Sequence, residues 1–257
     1  MIILSILERD PAEVSRLLLS PPAGADAVEV RLDRLKRAEP SSWFPGTAAA
    51  PRPVIAACRA RAEGGFFAGS ERRRGEALLT AARAGVAYVD VELGSAMVKS
   101  LADLAPARVI LSHHDRRRTR PAAELHALYR KMAAVAGVAV VKIVTTALDP
   151  ADILEIRSLL KRVEGGKVPL IAFAMGGPGI PSRILAPSWG SWATFVCLRR
   201  GAESAPGQLT LEEAVDVYRI GEIDEETRLT GITGFPVAHS LSPVMHNAGY
   251  RQQKINF

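Results

Sequence analysis

Short, almost wholly apolar runs alternate along the chain with longer stretches in which apolar residues recur every three or four positions. The short runs are Ile2–Leu7, Ala27–Leu32, Pro53–Cys58, Val86–Leu93, Arg108–His113, Val138–Val144, Pro169–Met175 and Trp192–Leu198. They are rich in Val, Ile and Leu and bounded by Gly, Pro or polar residues, which predicts buried strands. The stretches between them, such as "PAEVSRLLL", "GEALLTAARAG", "AAELHALYRKMAAVAG" and "PADILEIRSLLKRVEGG", carry helical periodicity, and several end in Gly. Strand centres lie roughly 20 to 35 residues apart, the repeat of a βα unit. Continuous rather than alternating apolar strands predict a parallel sheet covered on both sides. Eight such units predict an α/β fold of the (β/α)8, or TIM-barrel, type. The alternative is a doubly wound open sheet, but no Gly-rich dinucleotide fingerprint follows the first strand.

The eighth helix is expected over "LTLEEAVDVYRIG", closing the barrel near residue 222. An acidic linker follows at 223–230, and 231–257 form a tail of different character, too short for a domain. The chain has 257 residues, 48% hydrophobic and 5% aromatic, so the core must be built mainly from aliphatic side chains. No run of about 18 apolar residues occurs, and the start "MIILSILERD" reads as a strand rather than a signal peptide. No membrane partner and a cytoplasmic location are therefore expected. Cys58 and Cys197 lie in apolar runs and read as small buried thiols. The net charge of +6 fits an anionic small molecule or nucleic acid. The basic clusters Arg72–Arg74 and Arg116–Arg118 have no interleaved aromatics, which argues against nucleic acid and for a solvated basic face.

In such a barrel the chemistry sits at the C-terminal strand ends. The polar residues falling there are Glu29 and Arg31, Arg59 and Glu63, Asp90 and Glu92, His113 and His114, Lys142, Arg183, and Ser204 with Gln208. Each has an ordinary explanation alone: a salt-bridged pair, a loop histidine, a lysine reaching along its stem to solvent. Together they point to chemistry. A lysine in an apolar strand surrounded by cations is disfavoured as the ammonium, and the free amine attacks ketones to form an imine. A histidine beside it can move the proton next to the former carbonyl. No metal spacing is present, and neither a metal nor an organic cofactor is expected. Residue types alone leave a dehydratase and an aldolase-type lyase equally open, with a non-catalytic scaffold as a third reading.

The stretches "ADAVEVRLDRL", "CRARAEGGFFAG", "YVDVEL", "ILSHHD", "VVKI", "MGGPGIPSRIL", "GSWATF" and "SAPGQLTLEE" occur in the order found in type I 3-dehydroquinate dehydratases, and residues 1–220 resemble that family. The resemblance implies dehydration of 3-dehydroquinate to 3-dehydroshikimate, in the shikimate pathway to the aromatic amino acids. It implies Lys142 as Schiff-base lysine, His114 as general acid/base and Glu63 as the carboxylate orienting it. Arg183 is implied as partner of the substrate carboxylate. Glu29, Arg31, Arg59, Ser204 and Gln208 are implied as further substrate ligands, and Ser5 matches a pocket serine. Three departures stand out: a second histidine at His113, which should point away from His114, Arg116 where an aromatic is usual, and the β-branched "IVTTALDP" after the lysine. The loops "EGGFFAGSERRRG" and "SAPGQ" are expected to be mobile. A homodimer is compatible with the sequence.

The tail "GFPVAHSLSPVMHNAGYRQQKINF" resembles the opening of shikimate dehydrogenase, an activity that follows the dehydratase in some fused proteins. Ser240 and Ser242 match the serines that bind the shikimate carboxylate there. The tail is expected to be a vestige, inactive as a dehydrogenase and poorly ordered.

Overall fold

In a computed structural model of the chain, residues 1–35, 50–103, 107–234, 236–237 and 239–257 are described. Eight strands form one sheet in the order β7-β6-β5-β4-β3-β2-β1-β8. They are β1 (Ile2–Ile6), β2 (Ala27–Arg31), β3 (Val54–Ala57), β4 (Tyr88–Glu92), β5 (Arg108–His114), β6 (Val138–Thr146), β7 (Leu170–Met175) and β8 (Thr194–Cys197). Every pairing is parallel. Each strand falls within or close to its predicted apolar run, and the sheet curls into the predicted (β/α)8 barrel. The helices are α1 (Pro11–Leu19), α2 (Glu71–Arg83), α3 (Val98–Ala102), α4 (Ala122–Ala133), α5 (Asp152–Val163), α6 (Ile180–Leu185) and, in the tail, α7 (Ser242–Gln253). Their buried faces pack on the outward-facing strand residues: Val14, Leu17 and Leu18 from α1, Ile156, Leu159 and Leu160 from α5. No helix among the described residues is long and apolar enough to cross a membrane.

The strand register decides which side chains fill the barrel. Ser5 lies beside Glu29, Ala57 beside Asp90, Glu92 beside Ser112, and Ser112 beside Lys142. Since side chains alternate across a strand, these neighbours share the inner face, while Val28, Val30, Val89, Val91, Val141 and Ile143 face the helices. Polar residues thus collect inside one end of the barrel.

The barrel closes between β7 and β8 without a strand ladder. Trp192 donates its backbone N–H to Leu170 O at 2.8 Å. Beyond that, serine hydroxyls take the place of the missing strand carbonyls: Ser191 Oγ accepts from Ala172 N at 3.2 Å and Ser182 Oγ from Ala174 N at 2.8 Å. Thr194 Oγ1 donates to Arg183 O at 2.8 Å, tying β8 to α6. The seam therefore holds the helix that carries Arg183.

Two expectations are corrected. The eighth helix is not regular: Glu213–Val217 form a π-helical turn, with Tyr218 N bonding to Glu213 O at 2.8 Å, and Ile220–Glu222 a 3-10 turn. The tail is not a poorly ordered extension: α7 lies against the π turn. Asn247 Nδ2 donates to Val217 O at 2.8 Å, and Arg251 Nη2 to the carbonyls of Val215 and Asp216 at 3.4 and 3.3 Å. The wide turn leaves carbonyls open, and the tail helix satisfies them. Val215 packs against Gly24, just before β2, so the tail sits at the end of the barrel opposite the strand C-termini. Two tail residues, Phe235 and Ala238, lie outside the described residues.

The seam is testable. Ser182→Ala leaves the buried Ala174 N–H without an acceptor and should lower unfolding free energy by about 1–3 kcal/mol in urea titration. Unchanged stability would mean that the Ser182 hydroxyl does not contribute to holding the seam.

Candidate active site

The C-terminal end of the barrel opens into a cavity. It is lined by Glu29, Arg31, Arg59, Glu63, His114, Lys142, Arg183, Ser204 and Gln208, nine of the ten barrel residues to which the family resemblance gives a role. Ser5 is the exception. It is buried behind Glu29, donating to Glu29 Oε2 at 2.6 Å, so it supports a lining residue rather than lining the cavity itself. Ser240 and Ser242 lie at the start of α7, with Ser242 N donating to Ser240 Oγ at 3.2 Å, and neither lines the cavity.

Lys142 projects from the middle of β6 and is 5% exposed. Its Nζ donates to Asp90 Oδ2 at 3.0 Å, stands 3.7 Å from Glu29 Oε1, and lies 3.8 Å from the centroid of the Phe195 ring. This corrects the expected apolar, cation-ringed setting: the nearest partners of the amine are carboxylates and an aromatic face. Asp90 is the hub. Its Oδ1 receives Arg59 Nη2 at 2.8 Å and Ser112 Oγ at 2.6 Å. Burial alone would raise the Asp90 carboxyl, but Arg59 and Lys142 outweigh it and hold the group well below the usual carboxylate range. Arg59 Nη1 donates to Ser112 Oγ at 2.8 Å and forms an ion pair with Glu92 Oε1 at 3.2 Å.

His114 ends β5, one pleat repeat nearer the mouth than Ser112, the register partner of Lys142. Its Nδ1 meets Glu63 Oε2 at 2.9 Å. Burial, then the charges of Arg59 and Lys142, hold the imidazole well below its ordinary range, so the ring is neutral. Burial also pushes the Glu63 carboxyl up to about 7, with Glu92 and Asp90 adding to the rise and Arg59 opposing it. With Glu63 ionised, Nδ1 carries the proton and Nε2 is left as a free base. His113 turns off the inner face, as alternation requires, and does not line the cavity.

The loop bearing Glu63 is tied down rather than loose. Asp33 accepts from Arg31 Nε and Nη2 at 2.9 and 2.7 Å, from Arg59 N at 3.1 Å and from Phe66 N at 3.0 Å. Gly65 N bonds to Ala60 O, and a Cβ at Gly65 would fall 2.1 Å from Arg59 O, so only glycine fits this close turn. The late loop is laced in the same way: Gly176 N donates to Pro206 O at 3.1 Å and Arg183 Nη2 to the same carbonyl at 3.3 Å.

Arg183 differs from the other buried cations of the cavity. It is 1% exposed and stacks 4.5 Å from the centroid of Phe173. Among the described residues no carboxylate pairs with it, and its Nε has no partner. Burial pulls the guanidinium down to about 10. Gln208 Oε1 accepts from Ser204 N and Oγ at 2.6 and 3.0 Å. Because the Ser204 backbone can only donate, the amide orientation is fixed, and Nε2 is left without a partner. Two buried donors are thus directed at nothing in the protein, the arrangement expected of an anion site.

Sequence reasoning gave no role to Asp90, Asp33, Phe173 or Phe195. Asp90 was legible as an inward-facing neighbour of Glu92 in "YVDVEL". Asp33 sits one residue beyond the predicted strand, and the two phenylalanines are indistinguishable in sequence from ordinary core residues. Both cysteines are buried as expected, and burial pushes the Cys58 thiol up to about 12.

A neutral His114 is directly observable. The ring should stay unprotonated from pH 8 down through pH 6 by nitrogen chemical shift. A midpoint at or above 6.5 would contradict the site electrostatics.

The family model described as "Type I 3-dehydroquinase" matches residues 2–225. The chain is 36% identical over 238 residues to the bifunctional 3-dehydroquinate dehydratase/shikimate dehydrogenase of Arabidopsis thaliana, covering 91% of this chain but only 39% of that protein. It is 37% identical over 203 residues to a 3-dehydroquinate dehydratase of Dehalococcoides mccartyi, covering 78% of this chain and 88% of that one. Among solved structures, the dehydroquinate dehydratase and shikimate dehydrogenase of S. pombe AroM superposes with a TM-score of 0.70 at 29% identity, covering 99% of this chain and 51% of that chain.

Proposed function

The chain belongs to the type I 3-dehydroquinase family, and from that premise we propose that the cavity converts 3-dehydroquinate to 3-dehydroshikimate through an imine on Lys142. The observation that carries this reading is a single cavity holding a buried lysine, a neutral histidine fixed by a carboxylate, and a buried arginine with no acid partner.

The geometry supports the following roles. The substrate carboxylate lies against Arg183, whose fork suits bidentate pairing, with Gln208 Nε2 and Ser204 beside it. Glu29, Arg31 and Arg59 meet the ring hydroxyls. This places the ketone at Lys142. Lys142 Nζ lends one ammonium proton to His114 Nε2 and adds to the carbonyl carbon; that proton returns to the carbinolamine oxygen, which leaves as water, giving a protonated imine. That cation draws electrons from the adjacent C–H bond. His114 Nε2 takes the proton and the electron pair forms an enamine, while Glu63 steadies the imidazolium through Nδ1–H. The enamine then expels the hydroxyl beta to the imine carbon, and His114 returns its proton to the leaving oxygen, so one water departs. Hydrolysis of the imine consumes one water, releases the enone and restores the amine. Asp90 and Glu29, already in contact with Nζ, stabilise the cationic imine.

Residues 231–257 are read as the opening segment of a shikimate dehydrogenase, with Ser240 and Ser242 as its carboxylate ligands. The Arabidopsis relative, similar over 91% of this chain, carries both activities in its name.

The test is turnover of 3-dehydroquinate, followed by the ultraviolet absorbance of the enone. The chain should be active, Lys142→Ala should lose nearly all turnover, and His114→Ala should lose it by about 10²–10⁴-fold. Arg183→Ala should raise KM with kcat largely kept, since it binds ground and transition states alike. Near-normal rates in Lys142→Ala would overturn the reading.

The pH profile adds an independent check. Below about 7 the Glu63 carboxyl is protonated and no longer accepts from Nδ1–H. Then kcat/KM should fall as pH drops through that value. Glu63→Gln should be slower and lack this acid limb. A limb that persists in Glu63→Gln would assign it to another group.

A further inference from the structure

The third arginine of the "RRR" cluster does not belong to a solvated face. Arg72 is exposed and pairs with Glu76 on the surface of α2, and Arg73 is also exposed. Arg74, one residue on, is 4% exposed. A helix turns about 100° per residue, so the run crosses from solvent to barrel within three positions. Gly75 lets the helix sit close: a Cβ there would fall 2.5 Å from Met97 Cγ. Arg74 then reaches inward. Its Nε and Nη2 fork onto the Glu71 carboxylate at 2.8 and 2.7 Å, and its Nη1 donates to Cys58 O at 3.1 Å and to Glu92 Oε2.

These contacts continue a line of alternating charge into the cavity. Glu71 leads to Arg74, Arg74 to Glu92, Glu92 to Arg59, Arg59 to Asp90, and Asp90 to Lys142. Side-chain exposure falls from 47% at Glu71 to 0% at Asp90. Glu92 also accepts from Ala60 N at 3.4 Å, at the root of the loop that carries Glu63. Arg74 itself does not line the cavity. Without it, Glu92 has one cation left, Arg59, which it then shares with Asp90.

We propose that Arg74 is a positioning residue for the dehydration: by holding Glu92 from the outer side it keeps Arg59 on Asp90, and so fixes Lys142 and the charges that face Glu63. This rests on the dehydratase reading of the cavity. The groups facing Glu63 are His114 at 2.9 Å on β5, Arg59 from the end of β3, and Asp90 and Glu92 from β4; Arg116 packs over the adjacent Gly64. Removing Arg74 leaves the Glu92 charge less compensated, which favours the protonated form of Glu63. Removing Glu92 as well has the opposite sign.

The experiment compares the unmodified chain with Arg74→Met and with the double variant Arg74→Met/Glu92→Met. The double variant replaces a buried ion pair by apolar groups, a change often neutral for folding, and keeps the test open where the single variant does not fold. In both, kcat on 3-dehydroquinate should fall about tenfold to a hundredfold with KM changed far less. The acid limb of kcat/KM should move to higher pH in Arg74→Met and to lower pH in the double variant. Arg74→Lys, which keeps a cation for Glu92, should restore the limb. A purely structural role moves stability but neither limb. Folded variants with unmodified kcat and pH profile overturn the proposal while the dehydratase reading stands. No turnover by the unmodified chain removes the reading and the proposal together.

Discussion

The site depends on one constraint: Asp90, buried at the barrel's inner face, must share its charge between Arg59 and Lys142. A carboxylate with no exposed surface persists as an anion only because two cations and the Ser112 hydroxyl contact it. The cations are equally dependent on it. Removing one member of such a buried set typically costs about 3–5 kcal/mol, because the charge left behind is stranded. Mutual dependence fixes geometry: Lys142 cannot swing toward solvent without uncovering Asp90. A lysine in a parallel strand is therefore held in place, its amine 3.8 Å from the Phe195 ring centroid and between two carboxylates, as the nucleophile we propose must be.

Against this compensated floor, the rest of the cavity is deliberately incomplete. Arg183 rests on an aromatic face with Nε unpaired, and Gln208 offers an unpaired amide N–H. Those donors are directed at what the protein does not supply. The same contrast separates the two titrating partners: His114 is pushed down by burial and by nearby cations, while Glu63 is pushed up by burial and by nearby carboxylates. In the mechanism we propose, a base that is neutral at rest and a carboxyl that ionises near neutrality divide the labour of binding and returning one proton. The β7–β8 seam serves the same end, since the serines that replace the strand ladder also anchor the helix bearing Arg183.

Much of this was legible in the sequence because the barrel imposes strong rules. Parallel strands buried on both faces read as continuous apolar runs, so all eight appear where the pattern places them. Position at the C-terminal ends of those runs marked Glu29, Arg31 and Lys142 for the barrel mouth. What the sequence concealed follows equally from physics. Asp90 and Arg74 act through partners far away in the chain, and pairing at that range leaves no local signature. Local composition read Arg72–Arg74 as one solvated cluster, whereas helix rotation sends its last member into the barrel. The Lys142 surroundings were misjudged for the same reason: the neighbouring apolar residues in sequence face the helices, and its spatial neighbours are carboxylates from other strands. Composition marked "EGGFFAG" as mobile and gave no sign of the hydrogen bonds from Arg59 N and Phe66 N to Asp33 on another loop. The eighth helix read as regular because its periodicity continues through a π turn that the tail helix completes.

The central claim is that the amine of Lys142 forms the bond to substrate. Incubation of the chain with 3-dehydroquinate and sodium borohydride, followed by peptide mass spectrometry, tests it directly. The account predicts a reduced, substrate-sized adduct on the peptide containing Lys142 and on no other lysine. A folded chain that consumes 3-dehydroquinate yet carries no adduct at Lys142 would contradict it.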